Sequence, residues 1–126
     1  MQFDSNQAIY LQIVDEICAY IVSAKWPQDE RIPSVRELSV QLEVNPNTVL
    51  RSYDMLQSEG IIYNKRGIGY FVASDGQEKA KTYLRAKFTQ TDMPQFFKQM
   101  NILGISFNEL EKFYQLFMNQ LNLKII

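Results

Sequence analysis

RIPSVRELSVQLEVNPNTVLRSYDMLQSEGIIYNKRGIGYFV, from Arg31 to Val72, is the stretch whose reading decides the fold. Ser34 is a good helix N-cap, and Glu37 three residues later completes a capping box, so a helix opens here with Val35, Leu38 and Leu42 on its buried edge. Glu43-Val44-Asn45 supplies a turn. Asn45 then suits a second N-cap and Pro46 a first helical turn, where a missing N–H costs nothing. Val49, Tyr53 and Leu56 face inward along this next helix, and Gly60 closes it as a left-handed cap. Ile61-Ile62-Tyr63 and Tyr70-Phe71-Val72 read as short strands around Asn64-Lys65-Arg66-Gly67-Ile68-Gly69. Helix, turn, helix and a ribbon with a cationic tip make the layout of a winged helix-turn-helix. In that layout the second helix of the pair enters a DNA major groove by its N-terminal residues.

Working outward, the preceding helix is expected from about Asn6 to Ala24. Ile9, Ile13, Ile17 and Ile21 recur every four residues, with Tyr10, Val14, Tyr20 and Val22 widening the stripe. Trp26-Pro27 ends it and Gln28-Asp29-Glu30 is a polar turn. Beyond the ribbon, Gln77 to about Gln90 is a helix candidate, followed by a break or kink near Asp92 to Pro94. Gly104 stops the next helix, and Ser106 caps the last one with Glu109 in capping-box position. The fold class expected is α+β and mostly helical. An N-terminal winged helix-turn-helix of three helices and a two-stranded wing spans 1–75, and a short helical dimerisation tail spans 76–126.

Composition narrows the chemistry. The 126 residues include no histidine and one cysteine. The commonest general base and metal ligand is therefore missing, and no metal, cofactor or catalytic constellation is expected. Cys18 has no intramolecular disulfide partner, which fits a reducing cytosol, and it reads as a small buried side chain before a redox sensor. No apolar run approaches a membrane span, and no charged segment precedes an apolar one at the N-terminus, so neither a membrane nor a secretory route is expected. A cytoplasmic location follows. The net charge is −1, and residues 1–76 hold six Lys/Arg against ten Asp/Glu. DNA binding then requires clustering of Arg36, Arg51, Lys65 and Arg66 on one face, with Asp15, Glu16, Asp29, Glu30 and Glu59 elsewhere. Such a protomer alone would bind weakly and in a salt-sensitive way.

Several motifs in register resemble the GntR family of bacterial transcription regulators. They are Ile32-Pro33-Ser34-Val35-Arg36-Glu37-Leu38, Asn47-Thr48-Val49, Leu56-Gln57-Ser58-Glu59-Gly60-Ile61-Ile62, and the wing Arg66-Gly67-Ile68-Gly69-Tyr70-Phe71-Val72. The resemblance covers roughly residues 7–73. Many members carry arginine where Pro46 and Leu50 stand here; Asn45-Pro46-Asn47-Thr48-Val49 instead is similar to the YtrA-like subfamily. Base contacts of better-known members are therefore not transferred to this helix. Only about 50 residues follow Asp75, too few for the large helical or aminotransferase-like domains of other subfamilies. The resemblance implies a short helical tail that pairs two protomers, with Asp92-Met93-Pro94 through Leu103-Gly104-Ile105-Ser106 matching it.

The residues expected at DNA follow from these placements. Asn47, Thr48 and Arg51 lie on the outward first turns of the reading helix, with Asn45 serving as cap, contact or both. Ser34 and Arg36 start the bracing helix, where they would meet the backbone or an adjacent base. Lys65 and Arg66 reach phosphates or the minor groove, while Gly67 and Gly69 are chiefly conformational. The competing readings are a plain surface arginine at 36, an Arg51 paired with Asp54 or Glu59 on its own helix, and a wing tip that merely aids solubility. In the tail, Leu110, Phe113, Tyr114, Phe117 and Leu121 follow a helical stripe. Eight aromatics (Tyr83, Phe88, Phe96, Phe97, Phe107, Phe113, Tyr114 and Phe117) crowd a segment too short to cover them alone. Tyr83, Leu84, Phe88, Phe96, Phe97, Met100, Leu110, Phe113, Tyr114 and Phe117 are accordingly expected at a homodimer interface. The function expected is a sequence-specific, homodimeric DNA-binding transcription regulator, a repressor at an inverted-repeat operator on double-stranded DNA. The alternatives are a winged-helix protein-interaction module and a sensor holding an unknown small-molecule effector among the tail aromatics.

Overall fold

The computed structural model describes residues 7–125, with side chains as far as residue 122. Two compact units divide between Ala86 and Lys87. The boundary expected from sequence is 75/76, at the end of the wing.

In the first unit, α1 (Ile9–Val22) buries Ile13, Val14, Ile17, Cys18 and Ile21. The expected start at Asn6 lies outside the described residues. Ile9, assigned to the stripe from its spacing, is 45% exposed. α2 (Val35–Leu42) opens on the expected capping box: the Glu37 N–H donates to Ser34 Oγ at 3.0 Å, and the Ser34 N–H donates to Glu37 Oε1 at 3.2 Å. It closes on Glu43 in the left-handed region at φ 55°, with the Val44 N–H returned to the Ser39 carbonyl at 3.0 Å. That reversal sends the chain into α3 (Pro46–Ser58), capped by Asn45 Oδ1 on the Asn47 N–H at 2.8 Å.

Tyr53, on α3, is the largest fully buried side chain. Its hydroxyl donates to the Pro33 carbonyl at 2.6 Å, and its ring meets Tyr70 edge-on at 4.8 Å. One residue thus ties the third helix to the entry of the second and to the ribbon. Ser52 Oγ reaches the Tyr10 carbonyl at 2.8 Å and the Thr48 carbonyl at 3.1 Å, joining α3 to α1.

The wing is β1 (Ile62–Lys65) paired antiparallel with β2 (Gly69–Val72), in the register Ile62↔Val72, Tyr63↔Phe71, Asn64↔Tyr70, Lys65↔Gly69. Residues 29–32, read from sequence as a polar turn and its exit, run along the other edge of β2. Asp29 N–H bonds the Val72 carbonyl, Val72 N–H the Glu30 carbonyl and Ile32 N–H the Tyr70 carbonyl, at 2.9–3.0 Å. A polar run lacks the period-two pattern that marks a strand, and its pairing is tertiary.

α4 (Gly76–Lys87) belongs to this unit for all but its last residue. Ala80 is fully buried, and Tyr83 and Leu84 pack half-buried against the same core. A Cβ at Gly76 would meet the Ile61 carbonyl oxygen at 2.6 Å and Val72 Cγ1 at 2.9 Å, so the helix start lies directly on the end of the ribbon. Tyr83 and Leu84 thus pack in part on the core of their own protomer, and only their remaining exposed surface is open to the dimer contact expected from sequence. Burial pushes the Tyr83 phenol up to about 12.

In the second unit, a π-helical turn (Phe88–Asp92) leads into α5 (Met93–Leu103), and α6 (Phe107–Ile125) follows. The break or kink expected near Asp92–Pro94 is replaced by that wide turn. Pro94 cannot donate a backbone hydrogen bond and its ring crowds the preceding turn, but it lies in the first turn of α5, and the looser π geometry ahead of it accommodates the ring. Gly104 caps α5 at φ 70°, and the Glu109 N–H donates to Ser106 Oγ at 3.1 Å at the start of α6, as the sequence suggests. Among the described residues, none of the side chains of this unit is buried.

Candidate nucleic-acid interface

The candidate surface begins at the N-terminus of α3. Asn45 commits Oδ1 to the cap but keeps its amide donors, and the helix dipole adds partial positive charge at this end. Asn47 is exposed, Thr48 half-exposed and Arg51 exposed one turn on. A hollow of about 390 Å³ separates these three from Ala8, Ile9 and Tyr10 at the start of α1. The Arg51 guanidinium is stacked over the Tyr10 ring, 3.8 Å from its centroid, so the pairing with Asp54 or Glu59 considered from sequence is not what holds it.

At the start of α2, Ser34 is half-buried by its capping role and Arg36 points to solvent. The two hydrogen bonds that Glu37 accepts from Ser34, backbone first, hold its carboxyl below the usual glutamate range; Arg31 adds a smaller pull. The stability this contributes is present above the ordinary glutamate pKa and lost as pH falls through the lowered folded value. A carbon-detected NMR titration should find the Glu37 midpoint below that of an exposed glutamate. In a Ser34→Ala chain, which keeps the backbone donor and loses the hydroxyl, the midpoint should move only part of the way back to normal; an unchanged midpoint would mean the hydroxyl contributes nothing.

The wing carries the remaining cations. Lys65 Nζ lies 5.0 Å from the Phe71 ring centroid, and Phe71 stacks on Tyr63 at 5.6 Å, which stiffens the ribbon behind the tip. Lys65, Arg66 and Gly67 are exposed, and the tip is closed by the Ile68 N–H on the Lys65 carbonyl at 2.9 Å. Gly67 at φ +79° has open space around it, and Gly69 at φ +142° occupies a conformation other residues rarely adopt. At Gly69 a Cβ would come within 3.0 Å of Arg31 Nε. Arg31 was not singled out from sequence. The edge pairing of residues 29–32 with β2, visible only in the fold, brings this third cation beside the wing.

Among the described residues, none of Arg31, Arg36, Arg51, Lys65 and Arg66 is in an ion pair; Lys79 with Asp75, 3.1 Å apart, forms one on α4. Unpaired cations on α2, α3 and the wing suit phosphate contact despite the net charge of −1. No group of three or more His, Cys, Asp or Glu capable of holding a metal occurs among the described residues. No helix there is long and apolar enough to cross a membrane.

In the second unit, Phe88, Phe96, Phe97, Phe113, Tyr114 and Phe117 each keep 45–60% of their surface exposed. Met100 and Leu110 are half-buried. An open hollow of about 680 Å³ lies among Phe88, Phe96, Met100, Leu110 and Tyr114.

Comparison with known proteins agrees with this geometry. Residues 9–72 match the family described as bacterial regulatory proteins, gntR family. The chain is 40% identical over 111 residues to the uncharacterized helix-turn-helix transcriptional regulator YhcF of Bacillus subtilis, covering 86% of this chain and 88% of that one. It is 33% identical over 114 residues to the transcriptional repressor YtrA of the same organism, covering 88% and 82%. A crystal structure of a GntR-family transcriptional regulator from Bacteroides thetaiotaomicron superimposes with a TM-score of 0.74 at 47% identity, over 90% of this chain and 98% of that one.

Proposed function

Because this chain belongs to the GntR family of bacterial regulatory proteins, as a DNA-binding transcription regulator of YtrA-like type, we propose that it acts as a homodimeric repressor at an inverted-repeat operator. The observation that carries the dimer is the second unit, whose aromatic faces stand exposed on α5 and α6 with no core of their own among the described residues. Exposed apolar patches of this size on a small unit mark an interface, and a second copy supplies a matching surface by two-fold symmetry. Two protomers then offer two α3 helices to two half-sites. The protein performs no catalytic step in this reading.

Within each protomer, Asn47, Thr48 and Arg51 read base edges and phosphates of the major groove. Ser34 and Arg36 meet the flanking backbone or an adjacent base, with Asn45 serving as cap, contact or both. Lys65, Arg66 and Arg31 meet phosphates or the neighbouring minor groove, with Gly67 and Gly69 shaping the turn. Selection from a random duplex library, followed by a salt titration of the winner, tests this. An enriched inverted repeat with a steep salt slope is expected; failure of a folded dimer to enrich any duplex would remove DNA as the ligand.

The two kinds of contact separate under mutation. Arg36→Ala should cost roughly 1–3 kcal/mol of specific binding and relax preference at one position if it touches a base. Lys65→Ala should weaken all sequences alike and flatten the log–log salt slope by about one. Equal losses on cognate and random duplex for both variants would assign both residues to phosphate. The hollow of the second unit favours a second reading, a small apolar effector; a thermal shift with a metabolite that also alters operator affinity would support it.

A further inference from the structure

We propose that Tyr10, in the first turn of α1 and outside the helix-turn-helix proper, is a positioning residue for DNA reading by Arg51. The inference rests on the reading of Arg51 as a DNA contact. The guanidinium carbon lies 3.8 Å from the Tyr10 ring centroid, a stacking distance. Stacking engages the face of the guanidinium and leaves its N–H donors, which lie in the plane, free to meet a guanine edge or a phosphate. An arginine otherwise samples many rotamers, and the ring removes much of that freedom before DNA arrives.

The platform itself is held. Ser52, one residue beyond Arg51, is fully buried and bonds the Tyr10 carbonyl at 2.8 Å, so the two backbones are pinned beside the stacked pair. The hollow bounded by Ile9, Tyr10, Asn47, Thr48 and Arg51 leaves open space next to the outward residues of α3. A residue 41 positions upstream of Arg51 therefore helps set what the third helix reads. The Ser52 bond uses the Tyr10 backbone and survives any side-chain change at position 10.

The test is a double-mutant cycle on the full chain with the selected operator and its single-base variants. Tyr10→Leu should weaken operator binding about tenfold and relax preference at the same base positions as Arg51→Ala. Tyr10→Phe should bind like the parent, and Tyr10→Leu combined with Arg51→Ala should bind no worse than Arg51→Ala alone. In the free protein, the Arg51 side-chain protons should be shifted upfield by the ring in the parent and in Tyr10→Phe, and not in Tyr10→Leu.

Additive losses, with Tyr10→Phe as weak as Tyr10→Leu, would overturn the proposal in favour of a direct contact by the tyrosine hydroxyl. Parent-like binding by Tyr10→Leu while Arg51→Ala fails would also overturn it and leave the DNA-reading role of Arg51 intact. Parent-like binding by Arg51→Ala would remove both. Thermal unfolding of each variant distinguishes a folding defect, and Tyr10→Phe keeps the comparison readable if the leucine variant is unstable.

Discussion

Tyr53→Ala should lower the stability of the winged-helix unit by about 3–5 kcal/mol, the cost of emptying a fully buried aromatic site. A loss of that size is a large share of what a domain this small possesses. Among the described residues the fully buried core holds no other aromatic side chain, and Tyr70, edge-on to Tyr53, is itself held on β2. Tyr53→Phe separates the ring from the hydroxyl. It should cost about 1–2 kcal/mol, because the Pro33 carbonyl loses its 2.6 Å donor. Urea denaturation of the three chains measures both, and a phenylalanine variant as stable as the parent would show that the hydroxyl contributes nothing. The same burial raises the phenol pKa above the ordinary 10.0, with Tyr70 and Glu37 adding smaller pushes. A raised phenol pKa stabilises the fold below pH 10 and withdraws that contribution as pH climbs beyond it. Alkaline unfolding should therefore begin near pH 10, and later in a Tyr53→Phe chain relative to its neutral-pH stability.

Placing glutamates at Phe113 and Phe117 together should abolish dimerisation and weaken operator binding roughly a hundredfold or more. The two rings are one helical turn apart on α6 and more than half exposed in the protomer. Charge at those positions cannot be desolvated against an apolar partner face, so the cost falls on the assembly and not on the folded chain. Loss of the second reading head then removes the effective-concentration gain of a two-site contact. Sedimentation velocity and operator titration check the two effects, and the first unit should melt as before. A variant that still sediments as a dimer would move the interface elsewhere and leave the hollow of the second unit to a ligand.

Much of the fold was legible in the sequence because its signals are local. Ser34 with Glu37, Asn45 with Pro46, Gly60 and Gly104 each act within a few residues, and each does in the structure what such residues do at helix ends. The features that escaped are those decided by distant partners. Tyr83 and Leu84 look like the start of a tail stripe, yet they also pack half-buried against the core beneath α4. Arg31 gained its place beside the wing through edge pairing of a polar segment with no strand pattern. The Arg51 stack on Tyr10 joins residues 41 positions apart, and an arginine among possible carboxylate partners gives no hint of which contact wins. Pro94 announced a disturbance without stating its form. A proline can kink, break or be absorbed by a wide turn, and neighbouring packing selects among these.

The uncovered aromatic face of α5 and α6 has a consequence for dosage. If only the paired form occupies an operator, the active species grows as the square of protomer concentration wherever pairing is incomplete. Occupancy then rises steeply over a narrow range of expression, giving a threshold where a monomeric binder would give a gradual curve. In that case unpaired chains would also present this face to chaperones and proteases, and their clearance at low levels would sharpen the threshold further.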